Sequence, residues 1–113
     1  MKVFDYKEVA AEEVKMEGAK EVKVRWLIAK KDGAPNFAMR LFELAPGGYT
    51  PLHIHDWEHE VFILEGEGLV ADGEKETRIK SGSVIYVVPN EKHQFKNTGS
   101  EVLKFICLIP IKE

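Results

Sequence analysis

The sequence predicts an all-β domain, built as a sandwich or barrel of short strands. Turn signals made of Gly, Pro, Asn and Asp recur at about 8–12-residue intervals, which is typical of such folds. Between the turns lie runs rich in β-branched and aromatic residues, for example EVKVRWLI (21–28) and VLKFICLI (102–109). No long stretch repeats its apolar residues with a helical period.

Length and composition indicate one domain with one core. The chain has 113 residues, of which 44% are hydrophobic, and this is enough for a folded globule. Residues 1–20 mix a short apolar stretch with AAEEV and a glycine, so we expect an N-terminal arm or a single helical turn there. The single domain is then expected to span residues 21–113.

Composition also argues against several classes of function. The net charge is −3 and the basic residues are scattered, so no basic block exists to neutralise nucleic-acid phosphates. No apolar run approaches the roughly 20 residues of a membrane helix, and the charged start lacks the apolar stretch of a signal peptide. Cys107 is the only cysteine, which excludes an internal disulfide and makes a cytoplasmic location the expectation. Lys and Glu are abundant while Gln and Asn are scarce, a bias typical of thermophile proteins.

The strands can be placed in order from their flanking turns. Strand 21–28 is followed by the loop KKDGAPN and by a strand at 37–44, after which Pro46-Gly47-Gly48 predicts a turn. Asp72-Gly73 is a two-residue hairpin signal. After the extended segment 53–55, further strands are expected at 60–64, 68–72, 75–80, 84–88 and 93–97, before the closing strand 102–109. The order of the strands in the sheet does not follow from these patterns.

All four histidines of the chain lie in two short segments. His53 and His55 alternate along a β-prone stretch, which would place both side chains on one face with their Cβ atoms about 6–7 Å apart. His59 opens the next strand after a short turn, and His93 follows the strand IYVVP. Imidazole is the commonest protein ligand for first-row transition metals, so the clustering predicts one metal site that uses all four.

The first histidine segment resembles the first motif of the cupin superfamily. That motif reads Gly, five residues, His-x-His, three or four residues, Glu, six residues, Gly. In this chain Gly47 is followed by five residues to His53, then by His55, and the motif ends at Gly66.

Two ways of counting disagree at the acidic position of this motif. Leaving six residues before Gly66 selects His59, whereas leaving four residues after His55 selects Glu60. Strand alternation lets only one of these neighbours point inward, and both faces of the strand are apolar. We choose His59 on the Gly66 spacing, so that the ligand set looks like the four-histidine variant of small single-domain cupins.

A second segment resembles the second cupin motif, which reads Gly, five residues, Pro-x-Gly, two residues, His, three residues, Asn. The corresponding residues are Gly82, Pro89, His93 and Asn97. Six residues separate the first two, the stretch from Pro89 to His93 is one residue short, and the inner glycine is missing. The two motifs together span residues 47–97. The resemblance implies a jelly-roll β-barrel.

The resemblance also implies Mn²⁺ or Fe²⁺ as the cofactor, whereas intrinsic affinity would favour Zn²⁺, Cu²⁺ or Ni²⁺. Neutral imidazoles leave the full charge on the ion, whereas a glutamate ligand would cancel part of it. The ion is therefore a stronger Lewis acid than in a site with a glutamate ligand. Four ligands on an octahedral ion leave two positions for a small molecule or O₂. On tetrahedral Zn²⁺ they would leave none, and the site would be structural.

Several other residues near the predicted site have two interpretations each. Cys107 is either a neighbour of the metal ligands or a small buried hydrophobic residue. Arg40 interrupts an apolar strand, and it either binds an anionic substrate or reaches solvent or an acid. Phe95 has the strand parity of His93 and should wall the pocket. Trp57 and Tyr49 either line the mouth of the pocket or pack on loops.

The leading functional hypothesis is a metal-dependent oxidoreductase of dioxygenase type that acts on a small organic molecule. The alternatives are a metal-containing binding or sensing module without turnover, and a Lewis-acid isomerase or lyase. We also expect a homodimer, because strands 21–28 and 102–109 are apolar on both faces and the cupin resemblance implies a twofold dimer.

Overall fold

Nine antiparallel strands form one curled sheet in the computed structural model, which describes residues 1–112. Neighbouring strands follow the order β6-β5-β8-β3-β9-β4-β7, and β2 pairs with both β1 and β3. The prediction of an all-β fold of this kind is confirmed. The strands are β1 (Glu12–Glu13), β2 (Lys20–Ile28), β3 (Phe37–Tyr49), β4 (His59–Glu65), β5 (Glu67–Ala71), β6 (Glu76–Lys80), β7 (Val84–Val87), β8 (Gln94–Lys96) and β9 (Leu103–Pro110).

The core follows from the two-residue alternation of β4 and β9, which lie side by side in the sheet. Along β9, Leu103, Phe105 and Cys107 are buried, while the residues between them are only half-buried. Their partners Val61 and Ile63 on β4 are buried as well. The inner face of the curl is therefore apolar, and it forms the wall on which the candidate site lies.

Strand β3 is longer than predicted, and the expected turn at residues 46–48 does not form. Gly47 adopts a φ of +83°, and at Gly48 an added Cβ would lie 2.9 Å from three backbone oxygens. The two glycines thus let the chain bend without leaving the sheet. Tyr49 pairs with Lys20 on β2 and with Lys96 on β8.

The predicted two-residue hairpin at Asp72-Gly73 is also wrong in length. The last pair of the β5–β6 hairpin is Ala71 and Glu76, so the loop contains four residues. The Asp72 carboxylate accepts hydrogen bonds from the backbone N–H groups of Glu74 and Lys75, at 2.9 and 2.7 Å. This side-chain contact stabilises the wider loop in place of a tight turn.

The N-terminal arm contains a 3-10 turn at Tyr6–Glu8 and the short strand β1. The Arg25 guanidinium holds the turn, because it donates a 2.6 Å hydrogen bond to the carbonyl of Val9 and lies 5.4 Å from the Tyr6 ring centre. Beyond the arm, a second 3-10 turn spans Lys30–Asp32. Within residues 1–112, no helix has the length and apolar character needed to cross a membrane.

Candidate metal centre

The histidine-bearing segment between β3 and β4 is an extended loop rather than the strand expected from its sequence. A single β-bridge joins His53 to His93, with reciprocal backbone hydrogen bonds of 3.2 and 3.0 Å. Farther along, the carbonyl of His55 accepts a 2.7 Å hydrogen bond from the backbone N–H of Asn90. The two histidine motifs, distant in sequence, are thus tied together by their backbones.

Three of the four predicted ligands meet closely. One potential ligand atom from each of His53, His55 and His93 lies within 4.8 Å of the other two. The His53 ring centre is 4.2 Å from that of His55 and 4.7 Å from that of His93. This is the separation expected of imidazoles that share one ion.

The fourth histidine lies beside this cluster at the start of β4. Its ring centre is 4.6 Å from that of His93 and 5.3 Å from that of His55. His59 is buried, with 5% of its surface exposed, whereas the neighbouring Glu60 is exposed on the other face of the strand, opposite Tyr86. Of the two residues left by the motif counts, the one that points inward is therefore His59.

The free ring nitrogens of these histidines fit a metal ligand set. The Nδ1 of His93 lies 3.0 Å from the carbonyl of Glu91, which fixes the proton on Nδ1 and leaves Nε2 as the acceptor. The Nδ1 of His59 lies 3.4 Å from the Sγ of Cys107, while its Nε2 is buried and has no hydrogen-bond partner among the described residues. A buried nitrogen without a partner is costly, and a metal ion would satisfy it.

All four imidazoles are held neutral, which is the form that binds a metal. Burial, followed by the neighbouring His55 and His93, lowers the pKa of His53 to about 4. Burial and His93 likewise lower the pKa of His59 to about 3. Burial is also the main cause that lowers the pKa of His55 and of His93.

The histidines line a cavity of about 300 Å³ in the curl of the sheet. Apart from the histidines its walls are mainly apolar, with Val22, Val24, Trp26, Phe42, Phe95 and Phe105. Phe95 thus walls the pocket as expected. The N-terminal arm also reaches the cavity through Val14, Lys15 and Met16, and the sequence carries no local signal for this contact.

Arg40 and Cys107 lie side by side on the wall formed by β3 and β9, where they are directly paired. The Nη2 of Arg40 donates to the Sγ of Cys107 at 3.2 Å, and that sulfur is the neighbour of His59. Burial raises the pKa of the Cys107 thiol. Cys107 is therefore both a buried residue and a direct contact of a candidate ligand, and its two sequence interpretations hold together.

Trp57 and Tyr49 do not line the cavity. Trp57 stacks on the His55 ring with their centres 4.3 Å apart and their planes within 9°, so it supports that imidazole from behind. Asn97 of the second motif is buried and structural. Its Nδ2 donates to the carbonyls of Leu44 and Glu101, both at 2.8 Å, and fixes the turn after β8.

The profile of the family described as the cupin domain matches residues 40–109, well over half of the chain. The chain belongs to the cupin domain family. The matched segment contains all four histidines, Arg40 and Cys107, whereas the cavity walls contributed by residues 14–26 lie outside it.

Among known proteins, this cupin is similar to an oxalate-binding protein of Thermotoga maritima, with 38% identity over 99 residues that cover 83% of this chain and 80% of the relative. Among solved structures it resembles the polyketide cyclase RemF of Streptomyces resistomycificus, with a TM-score of 0.93 and 35% identity over 99% of this chain and 80% of that one. A predicted oxalate decarboxylase of Thermotoga maritima matches with a TM-score of 0.86 and 31% identity, over 98% of this chain and all of the other.

The lowered histidine pKa values of this cupin lead to a prediction about pH. Protons compete with a metal for an imidazole only near or below its pKa, so metal affinity should stay constant down to about pH 6.5, the ordinary histidine value, and fall only at lower pH. In the metal-free protein, the free energy of unfolding should decrease as the pH falls from 6.5 toward 4, because the unfolded chain takes up protons that the folded site excludes. Metal titrations and denaturant unfolding across this range check both parts. A half-loss of affinity near pH 6.5, the ordinary histidine value, would contradict the prediction.

Proposed function

We propose that this cupin holds one divalent metal ion on His53, His55, His59 and His93, and that it binds a small organic molecule at that ion. The observation that carries the proposal is the convergence of three neutral imidazoles, with that of His59 beside them, on one mainly apolar cavity. His59 and His93 are buried, and His53 and His55 are half-buried. Pockets with these features, an apolar wall and a few convergent polar groups, are the usual sites of small-molecule binding.

The inclusion of His59 is supported by its burial, its neutrality and its unpartnered Nε2. Its neighbour Cys107 contacts the opposite ring nitrogen, which directs Nε2 toward the other three imidazoles. Mn²⁺ or Fe²⁺ is the ion we favour. Such an ion would supply Lewis acidity and, where it is redox-active, reactivity toward dioxygen.

A dioxygenase-type oxidation of a small organic acid is the reaction we propose for this site. The chain would contribute the ligand set, and its apolar walls would exclude water from the reacting molecule. The relative named as an oxalate-binding protein supports an organic acid as the class of ligand. Metal analysis of the protein from its native source, followed by O₂ uptake with short organic acids, tests this reaction. We expect O₂ uptake that requires the metal. Binding of the acid without any O₂ uptake would instead indicate a binding module without turnover.

A Lewis-acid reaction without oxygen is the second candidate, since a solved structure named as a polyketide cyclase resembles this chain over almost its whole length. In such a reaction the metal would polarise a carbonyl of the substrate, and no oxidant would be consumed. Turnover under strictly anaerobic conditions separates the two reactions. Full turnover without O₂ would favour the Lewis-acid reaction, and complete dependence on O₂ would favour the dioxygenase.

We further propose that the protein is a homodimer, in which the outer face of β9, β4 and β7 packs against the second copy. On this face the side chains of Phe62, Val84 and Tyr86 are 46%, 75% and 57% exposed. The apolar surface that they form extends to the half-buried Ile106 of β9, which pairs with Phe62. Strand β7 is also an edge of the sheet. Exposed apolar faces and open edges of this kind are typically covered by a partner.

Sedimentation equilibrium at micromolar concentration should therefore give the mass of a dimer. Phe62→Lys should weaken the dimer by at least about tenfold, because a charge would be buried in the interface. Val102→Glu is the matched control, since Val102 is 41% exposed and lies in the loop before β9. A wild-type monomer, or equal effects of the two substitutions, would count against this interface.

A further inference from the structure

The cavity carries an excess of positive charge. Arg40 and Lys15 are its two basic side chains, and no Asp or Glu is among its described lining residues. The four imidazoles are neutral, so a divalent ion bound to them would add two further positive charges. The whole chain, in contrast, has a net charge of −3. This local excess indicates that the natural occupant brings negative charge.

The Arg40 guanidinium lacks the partners that a partly buried cation requires. Its Nη2 donates only to the Cys107 sulfur, a weak acceptor, and its buried Nε has no partner among the described residues. None of the ion pairs within residues 1–112 includes Arg40. Arg25, on the other side of the sheet, shows the usual arrangement, with a carboxylate of Glu43 at 3.2 Å and a backbone carbonyl at 2.6 Å.

Two aromatic rings hold the guanidinium in place without consuming its donors. Its Cζ lies 4.8 Å from the Phe42 ring centre and 5.3 Å from that of Trp26. Stacking of this kind orients the planar group, and the remaining N–H groups stay available for an acceptor in the cavity. The planar fork of an arginine matches the two oxygens of a carboxylate.

We infer that Arg40 determines the ligand class of this site: the occupant is a small organic acid whose carboxylate pairs with the Arg40 guanidinium, while its remaining atoms pack against the aromatic walls. The inference rests on the proposed function, since the ligand occupies the same cavity and is the organic acid proposed there, and it adds the residue that recognises the carboxylate. A volume of about 300 Å³ suits a compact molecule, and the apolar walls disfavour a ligand with many polar groups.

Calorimetric titration of the metal-loaded protein tests this role with defined probes. Oxalate and benzoate represent a short and an aromatic carboxylate, and their neutral amides, oxamide and benzamide, serve as comparisons. At least one acid should bind more tightly than its amide. Arg40→Gln should weaken that acid by about 10–100-fold and leave the amide unchanged, because a charge-assisted hydrogen bond is lost. Arg40→Lys, which keeps the charge but not the fork, should give an intermediate loss.

Arg78→Gln is the matched control, because it changes the net charge by the same amount as Arg40→Gln. Arg78 is exposed on β6 and lies outside the cavity. It should bind the acids as the wild type does. Equal affinities in Arg40→Gln and Arg78→Gln, or a wild type that binds neither acid, would overturn the inference. If Arg40→Gln fails to fold, the affinity of Arg40→Lys for the acid tests the inference in its place. An affinity equal to that of Arg78→Gln would then overturn it.

Metal content separates this inference from the proposed function. Arg40→Gln should retain the wild-type metal stoichiometry, because no atom of Arg40 is a ligand. If the wild type binds no metal, the proposed metal centre fails, but Arg40 can still be tested in the metal-free protein. Acid binding should then change the fluorescence of Trp26, which contacts the guanidinium, in the wild type and in Arg78→Gln but not in Arg40→Gln. An identical change in all three proteins would contradict the role of Arg40.

Discussion

Replacing His59 by alanine is expected to release most of the bound metal. The substitution removes a buried imidazole whose Nε2 has no partner in the described chain other than the proposed ion. Loss of groups that only support a metal ligand reduces affinity by about 10–100-fold, so removal of a ligand should exceed about 100-fold. Competition titration with a chelating indicator measures this change.

Glu60→Gln is the matched control for that experiment. Glu60 is the adjacent residue, and the cupin motif admits it as a ligand, but its side chain is exposed on the outer face of β4. The variant should keep wild-type affinity and stoichiometry. Metal loss in Glu60→Gln together with retention in His59→Ala would show that the alternative motif register is the correct one.

Replacing Phe105 by alanine should produce the largest loss of stability that we predict. The residue is 2% exposed and stacks against Phe42 and Phe95, with ring centres 5.3 and 4.7 Å apart. A buried phenylalanine costs about 3–5 kcal/mol when truncated, a large share of the 5–15 kcal/mol that stabilises a typical domain. Denaturant unfolding of the metal-free protein measures the change without a contribution from the ion.

Phe37→Ala serves as the control for this loss, because Phe37 lies on the neighbouring strand β3 and is 58% exposed. Its effect on the free energy of unfolding should stay below about 1 kcal/mol. Since Phe105 also lines the cavity, its truncation should enlarge the site as well as weaken the fold. Similar losses of unfolding free energy in the two variants would mean that the aromatic stack around Phe105 does not stabilise the core.

The alternation of buried residues made most strands predictable from the sequence. Strand β9 was correctly placed to within one residue at each end, because its apolar residues alternate along a long run between clear turn signals. The turn expected at Pro46-Gly47-Gly48 was wrong, since glycine permits both a turn and a bend within a strand. Only the pairing of Tyr49 with two other strands selects the bend, and that pairing is not visible locally.

Histidine spacing predicts the cluster of His53, His55 and His93, but it does not predict the surroundings of that cluster. The segment carrying His53 was expected to be a strand, whereas one bridge to His93 is enough to hold it extended. The environment of Arg40 depends on Cys107 and Trp26, which are distant in sequence, so the residue's own neighbours could not distinguish an anion-binding group from a surface one. Contacts between distant elements therefore account for what the sequence left open.

An anomalous difference map from crystals of the metal-loaded protein, recorded at the absorption edge of the ion, tests the four-histidine centre most directly. We predict one peak within bonding distance of the imidazoles of His53, His55, His59 and His93, with water or a small molecule completing the coordination. A peak that excludes His59, that includes the Glu60 carboxylate, or that shows a closed four-coordinate ion without exchangeable ligands would contradict this account.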